Sequence, residues 1–277
     1  AGIGIGSDAA WASSVTAPVP YVAADRCDAN CLKSFVDKYL AAMLAHDPSR
    51  LPLARGVRFT ENTVSLNIGE GLWTTARSLG AYRIDYADPK TGQGGYIGVV
   101  MENGKPVLLS LRLKIENGRI AEAETIVARV GLMSPRIPEN MAAKASKPVW
   151  GEILKPKERV SRDEMILAAN QYFEGMEQNT GEIVPFDDGC NRTENGTQTT
   201  NNPNLFAEMM PPPPMKDMPP PPPMPGGNPL MMGCKAQMNS GGMWIFTTPE
   251  RRFWMVDEER GIVVGLFMFT VTGLNQK

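Results

Sequence analysis

Two hydrophobic periods alternate along this chain. Between residues 32 and 44, Leu32, Phe35, Val36, Tyr39, Met43 and Leu44 recur at intervals of three and four, which places them on one face of a helix. Asp28 or Asn30 can cap it, and the pattern stops at His46-Asp47-Pro48, because proline disfavours helical geometry in the residue before it. The period then falls to two. Alternation predicts strands over 57–62, 82–87, 96–101, 107–115 and 120–128, interrupted by a short helix near 72–79 that carries Trp73. The turns between the later strands read Asp88-Pro89-Lys90-Thr91-Gly92, Asn103-Gly104 and Asn117-Gly118, and Asn-Gly between alternating segments is a strong hairpin signal. A helical period returns at 162–178, with Ile166, Ala169, Tyr172, Phe173 and Met176 on its apolar face, and short strands are predicted at 243–247, 252–256 and 262–271.

The two helices open related stretches. YLAAMLAHDPSRLPLARGVRFTEN, starting at Tyr39, and YFEGMEQNTGEIVPFDDGCNRTEN, starting at Tyr172, align without a gap at an offset of 133 residues. They share Tyr39/Tyr172, Met43/Met176, Pro52/Pro185, Gly56/Gly189, Thr60/Thr193, Glu61/Glu194 and Asn62/Asn195. A period of that size implies two copies of one domain, and 277 residues leave room for two cores. The expected organisation is an extended arm over 1–24, a first domain over 25–131, a proline-bearing linker over 132–160, and a second domain over 161–277 interrupted by a Pro/Met-rich insertion at 203–232.

Composition narrows the function classes. With 28 basic and 30 acidic residues the net charge is −2, and no Lys/Arg stripe offers the phosphate neutralisation that nucleic acid requires. No apolar run approaches the roughly 18 residues of a membrane span. Four cysteines, Cys27, Cys31, Cys190 and Cys234, suggest two local disulfides, although free thiols or, less readily, a metal site are alternatives. The single histidine, His46, is distant in sequence from all four. Paired cysteines imply an oxidising location: secreted, periplasmic or cell-surface. The Gly/Ala-rich start, free of Lys and Arg, is what a mature chain shows after loss of an export signal.

In the insertion, runs of proline predict polyproline II. Its methionines, Met209, Met210, Met215, Met218, Met224, Met231 and Met232, present thioethers that suit Cu(I), but also adaptable apolar packing on a partner. The expectation is packing, with no metal and no cofactor. Asn191-Arg192-Thr193 and Asn195-Gly196-Thr197 match the glycosylation acceptor pattern.

The first helix ending in HDPSRLPLARGVRFTEN, the short Trp73 helix and the meander together resemble the nuclear transport factor 2-like, or SnoaL-like, superfamily. A group of secreted tandem proteins of largely unassigned function is similar in more detail: Cys-x-x-x-Cys before the first helix, the same HDPSRLPLA phrase, and a terminal RRFWMVDEERGIV. This resemblance implies an α+β fold of two tandem cone-shaped barrels, each with a pocket between a curved antiparallel sheet and the first helix. It also implies an exported, cofactor-independent enzyme of lyase, dehydratase or isomerase type acting on a hydrophobic, possibly aromatic, small molecule. Non-catalytic ligand-binding or assembly modules share the fold, and then the arm and the Pro/Met loop would contact partners, including further copies of the chain.

Six residues are candidates for chemistry. Glu61 alternates with Phe59, so it would face the cone interior, where desolvation makes a carboxylate a usable acid or base. Its repetition as Glu194 also fits a structural role as a cap or an arginine partner. Tyr39 could bond a substrate oxygen or the repeated Glu, and His46 could shuttle protons or simply end its helix. Asp85, Arg112 and Glu124 are the meander charges best placed for a polar cluster at the cone mouth, the alternative being a solvated ladder of cross-strand pairs.

Overall fold

The computed structural model describes residues 27–129, 141, 144–194, 197–203, 231–240, 246–247, 251–267 and 269–271. The arm and nearly all of the Pro/Met insertion lie outside the described residues. Helix α1 (Ala29–Leu44) starts where Asp28 accepts the Cys31 N–H at 2.8 Å, and the Cys27–Cys31 disulfide holds the same turn. It ends as the sequence predicts, with His46 in the left-handed region at φ 54°. Strands β1 (Leu53–Glu61) and β2 (Val64–Leu66), a single helical turn α2 (Leu72–Thr75), and strands β3 (Ala76–Asp88), β4 (Gln93–Glu102), β5 (Lys105–Glu116) and β6 (Arg119–Ala128) complete the N-terminal region.

The six strands form one sheet in the order β2-β1-β6-β5-β4-β3, antiparallel except for the β1/β6 pair. Register shifts within β1, β3 and β5 mark bulges, which bend and twist a sheet. The Asn103-Gly104 and Asn117-Gly118 turns have positive φ at both residues, as two-residue hairpins require. The helix expected over 72–79 stops at Thr75, because Ala76 is already extended and begins β3.

Alternation divides this sheet into two faces. On one, Tyr96, Val100, Leu109, Leu111, Leu113, Ala123 and Val127 meet Leu32, Phe35, Val36, Tyr39, Leu40 and Met43 of α1 in a single core. A Leu buried there is worth about 1.5–3 kcal/mol. Gly94 is what lets α1 come close, since a Cβ there would lie 3.2 Å from Leu32.

The C-terminal region begins with α3 (Arg162–Gln178), matching the expected 162–178, with Ser161 and Glu164 as a capping box. Short ladders β7/β8 (Thr193–Glu194, Thr197–Gln198), helix α4 (Cys234–Asn239) and the pair β9/β12 (Phe246–Thr247, Thr270–Val271) follow it in space, with the hairpin β10/β11 (Arg251–Asp257, Ile262–Phe267). Cys190–Cys234 is bonded. Among the described residues these elements form two-stranded sheets only, and the second cone-shaped barrel implied by the resemblance is not seen.

The β10/β11 hairpin lies on the face of the large sheet away from α1. There Met255 and Val264 pack with Ile84 and Tyr86, flanked by Tyr82, Ile97 and Ile262. β3 is an edge strand, so donors on its outer side need partners. Two buried carboxylates supply them reciprocally. Asp257 of β10 accepts the Ala87 N–H at 3.4 Å, while Asp88 of β3 accepts the Val256 N–H at 3.2 Å and Arg162 of α3 at 2.6 Å. Both aspartates end a strand and open a turn that closes on a positive-φ glycine, Gly92 or Gly261.

Candidate functional site

The six residues singled out for chemistry do not converge. Tyr39 is fully buried in the α1 core, and its hydroxyl accepts the Trp73 Nε1–H at 2.9 Å, with the rings edge to face. The repeated glutamate is therefore not its hydrogen-bond partner. Burial raises the Tyr39 pKa well above the ordinary phenol range. Glu61 Oε2 accepts the Leu72 N–H at 2.9 Å, and its other oxygen lies 3.7 Å from Arg129. It caps α2 and pairs with an arginine, the two structural roles open to it from the sequence. His46 bonds the Trp73 carbonyl through Nδ1 and Arg77 Nη1 at 2.6 Å through Nε2. Because a guanidinium only donates, Nε2 accepts and Nδ1 carries the proton.

Asp85 is on the α1 side of β3, chelated by Arg83 at 2.7 Å from both Nε and Nη2, and Arg83 also reaches Asp37 of α1. Arg112 and Glu124 do meet, on the opposite face. Arg112 is 3 % exposed and bonds Gln93 at 2.8 Å, Glu122 at 2.7 Å and Glu124 at 3.2 Å. Arg252 of β10 reaches the same Glu124 at 2.8 Å. The cross-strand ladder is thus present, with Arg112 buried at its centre, Glu122 and Glu124 partly exposed, and Arg252 of β10 joined to its end. Among the described residues no three His, Cys, Asp or Glu side chains come together as metal ligands.

The space under α1, where the pocket was expected, is filled by the aromatic and aliphatic core. A cavity of about 510 Å³ lies on the other side of the sheet. β3, β4 and β5 contribute Tyr82, Ile84, Tyr86, Ile97 and Leu108, and α3 contributes Ala169, Tyr172 and Phe173. Met141, Trp150, Thr193 and residues Ile262, Val263, Val264, Gly265 and Phe267 of β11 close it. None of these sixteen is ionised near neutral pH, and the size suits a small organic molecule. Burial raises the Tyr82, Tyr86 and Tyr172 pKa values, so their hydroxyls keep their protons.

Sequence reasoning missed this cavity although part of the signal was present. Tyr82, Ile84 and Tyr86 alternate with Arg83 and Asp85 and so form an apolar stripe on one face of β3. That stripe reads as core until its partner is known, and the partner comes from elements about 90 to 180 residues later.

Among the described residues no helix is long and apolar enough to cross a membrane. No curated protein matches the chain. A solved NTF2-like protein of unknown function from Cytophaga hutchinsonii ATCC 33406 aligns over 35% of this chain and 88% of its own, at 12% identity and a TM-score of 0.26. At that score the likeness decides nothing about fold or function. Residues 158–277, the C-terminal region that supplies α3 and β11 to the cavity, match the family described as Domain of unknown function (DUF8021).

Proposed function

We propose that this protein binds an apolar small molecule, without transforming it, in the cavity between the large sheet and the α3/β11 side of the C-terminal region. The observation that carries the reading is the lining: sixteen residues with aromatic and aliphatic surface and no acid, base or thiol among them. Acid/base catalysis needs a group that can change protonation beside the substrate, and the cavity's tyrosines are held neutral by burial. The carboxylates and the imidazole that the sequence offered for that chemistry are each committed to capping, pairing or holding a helix end. The non-catalytic alternative of the SnoaL-like resemblance is therefore favoured over the lyase or isomerase. Two disulfides support placing this function outside the reducing cytosol.

The test is titration with N-phenyl-1-naphthylamine, a neutral probe that brightens when desolvated. Saturable binding of one probe per chain is expected, abolished by Ala169→Phe, which fills the cavity from α3. Absence of saturable binding, or binding indifferent to Ala169→Phe, would refute it.

A further inference from the structure

The cavity's polar groups sort into two kinds, and the difference specifies what it takes. Tyr86 donates its hydroxyl to the Leu111 carbonyl at 3.3 Å and is occupied. The charge of Arg192 is felt at the Tyr172 hydroxyl. Tyr82, Trp150 and Thr193 also line the cavity, and neither the Tyr82 and Thr193 hydroxyls nor the Trp150 indole N–H has a hydrogen-bond partner among the described residues. Nor is the Tyr82 oxygen one of the buried polar atoms sealed from solvent without a partner. It stays reachable, and Trp150, 38 % exposed, stands where the single turn Pro148–Gly151 meets β3. An indole N–H can only donate. Because burial raises the Tyr82 pKa, its hydroxyl is a donor at every physiological pH.

Resting on the binding reading above, we infer that the ligand is a neutral aromatic compound bearing a hydrogen-bond acceptor oxygen, a ketone, lactone or aryl ether, received by Tyr82 and Trp150. The aromatic body follows from the company it would keep: Tyr82, Tyr86, Trp150, Tyr172, Phe173 and Phe267 offer ring faces and edges. The acceptor follows from two donors that a ligand without oxygen would bury unsatisfied, which costs more than the bond itself yields. Neutrality follows from the absence of any counter-ion among the described lining residues, since an unpaired carboxylate or ammonium does not leave water for an apolar site. A fatty acid is excluded on the same ground.

Three naphthalenes of one shape separate these points in calorimetric titrations of the whole chain: 2-acetylnaphthalene, 2-ethylnaphthalene and 2-naphthoate. Replacing both donors, Tyr82→Phe with Trp150→Phe, is expected to weaken the ketone about 5-fold or more and to tighten the hydrocarbon, which no longer strands two donors. Naphthoate is expected to bind at least about 10-fold more weakly than the ketone. Independently of any variant, the carbonyl stretch of the bound ketone should lie at lower wavenumber than in hexane. If none of the three binds, the cavity is not a binding site and the reading beneath this one falls. If the hydrocarbon binds but the ketone keeps its hexane frequency, or naphthoate binds as well as the ketone, the cavity reading stands and the acceptor inference is wrong. Should the double variant fail to fold, the frequency shift and the wild-type naphthoate comparison still decide.

Discussion

The same template has two fates in this chain. In the N-terminal copy Tyr39 is sealed, edge-on to Trp73 and bonded by it, and Glu61 turns inward to hold the α2 backbone that carries that tryptophan. In the C-terminal copy Tyr172 is only partly buried and faces the cavity, its described ring neighbours being Phe173 and Phe186, while the exposed Glu194 pairs with Arg192 at 2.6 Å. Identical residues are thus core in one place and a cavity wall in the other. What distinguishes them is the element delivered between the shared motif and the meander: α2 and Trp73 in the first, a disulfide-closed insertion in the second.

The comparison can be broken most forcefully at its plug. Trp73→Ala should cost roughly 3–5 kcal/mol in urea unfolding. A loss below about 1 kcal/mol would mean that this ring does not organise the N-terminal core. Each region also has one cross-link, and their loops differ. In the chain-entropy model, replacing Cys190 and Cys234 by Ser should cost about 4 kcal/mol, and replacing Cys27 and Cys31 about 2 kcal/mol. The reverse order of melting points would remove the claim that the C-terminal region depends more on its staple. Asp88→Ala strands the Arg162 guanidinium and the Val256 N–H, so about 3 kcal/mol is expected, with non-additivity in a cycle with Asp257→Ala. Additive losses would show that the two carboxylates are not one clasp.

The repeated glutamates give the most direct contrast. Glu61→Ala should cost about 1–3 kcal/mol and Glu194→Ala no more than about 0.5 kcal/mol, measured by the same unfolding curves; equal effects would erase the distinction between the copies. The smallest expectation concerns pH. The Arg129 hydrogen bond holds Glu102 below the usual carboxylate range. A depressed folded pKa stabilises above the unfolded value of about 4.3 and loses that stabilisation as pH falls through the folded value. Stability should therefore decline on acidification below about pH 4.3, and Glu102→Gln should make that decline shallower.

Local chemistry made α1, α3 and the meander legible. Asp28, Pro48, Ser161 with Glu164, and two Asn-Gly pairs act within a few residues of where they sit, so their consequences follow from spacing alone. The Cys27–Cys31 disulfide was readable for the same reason, and Cys190–Cys234 from its place at the two ends of the Pro/Met-rich insertion. The end of α2 was not, because Ala76, Arg77 and Ser78 have no strong preference, and pairing with β4 decides their state. Arg112 illustrates the larger gap. Alternation placed it on the face away from Leu111 and Leu113, yet nothing in β5 says that Arg112 will be buried or that Arg252 of β10 will join the same carboxylate, Glu124. The cavity was hidden likewise, since it belongs to no single element and exists only where two distant regions meet.

The Cys190–Cys234 bond holds the ends of its segment 5.8 Å apart, Cα to Cα, across 44 positions. With the bond in place, those ends are tethered in the unfolded chain as well, so the entropy of closing the loop is lost when the sulfurs join and not when the protein folds. Without such a tether each doubling of a loop would cost about 0.6 kcal/mol; with it, even that small charge largely disappears. Between residues 203 and 231, beyond the β7/β8 ladder and Thr193 of the cavity wall, length and composition can therefore drift or be exchanged at little cost in closure entropy.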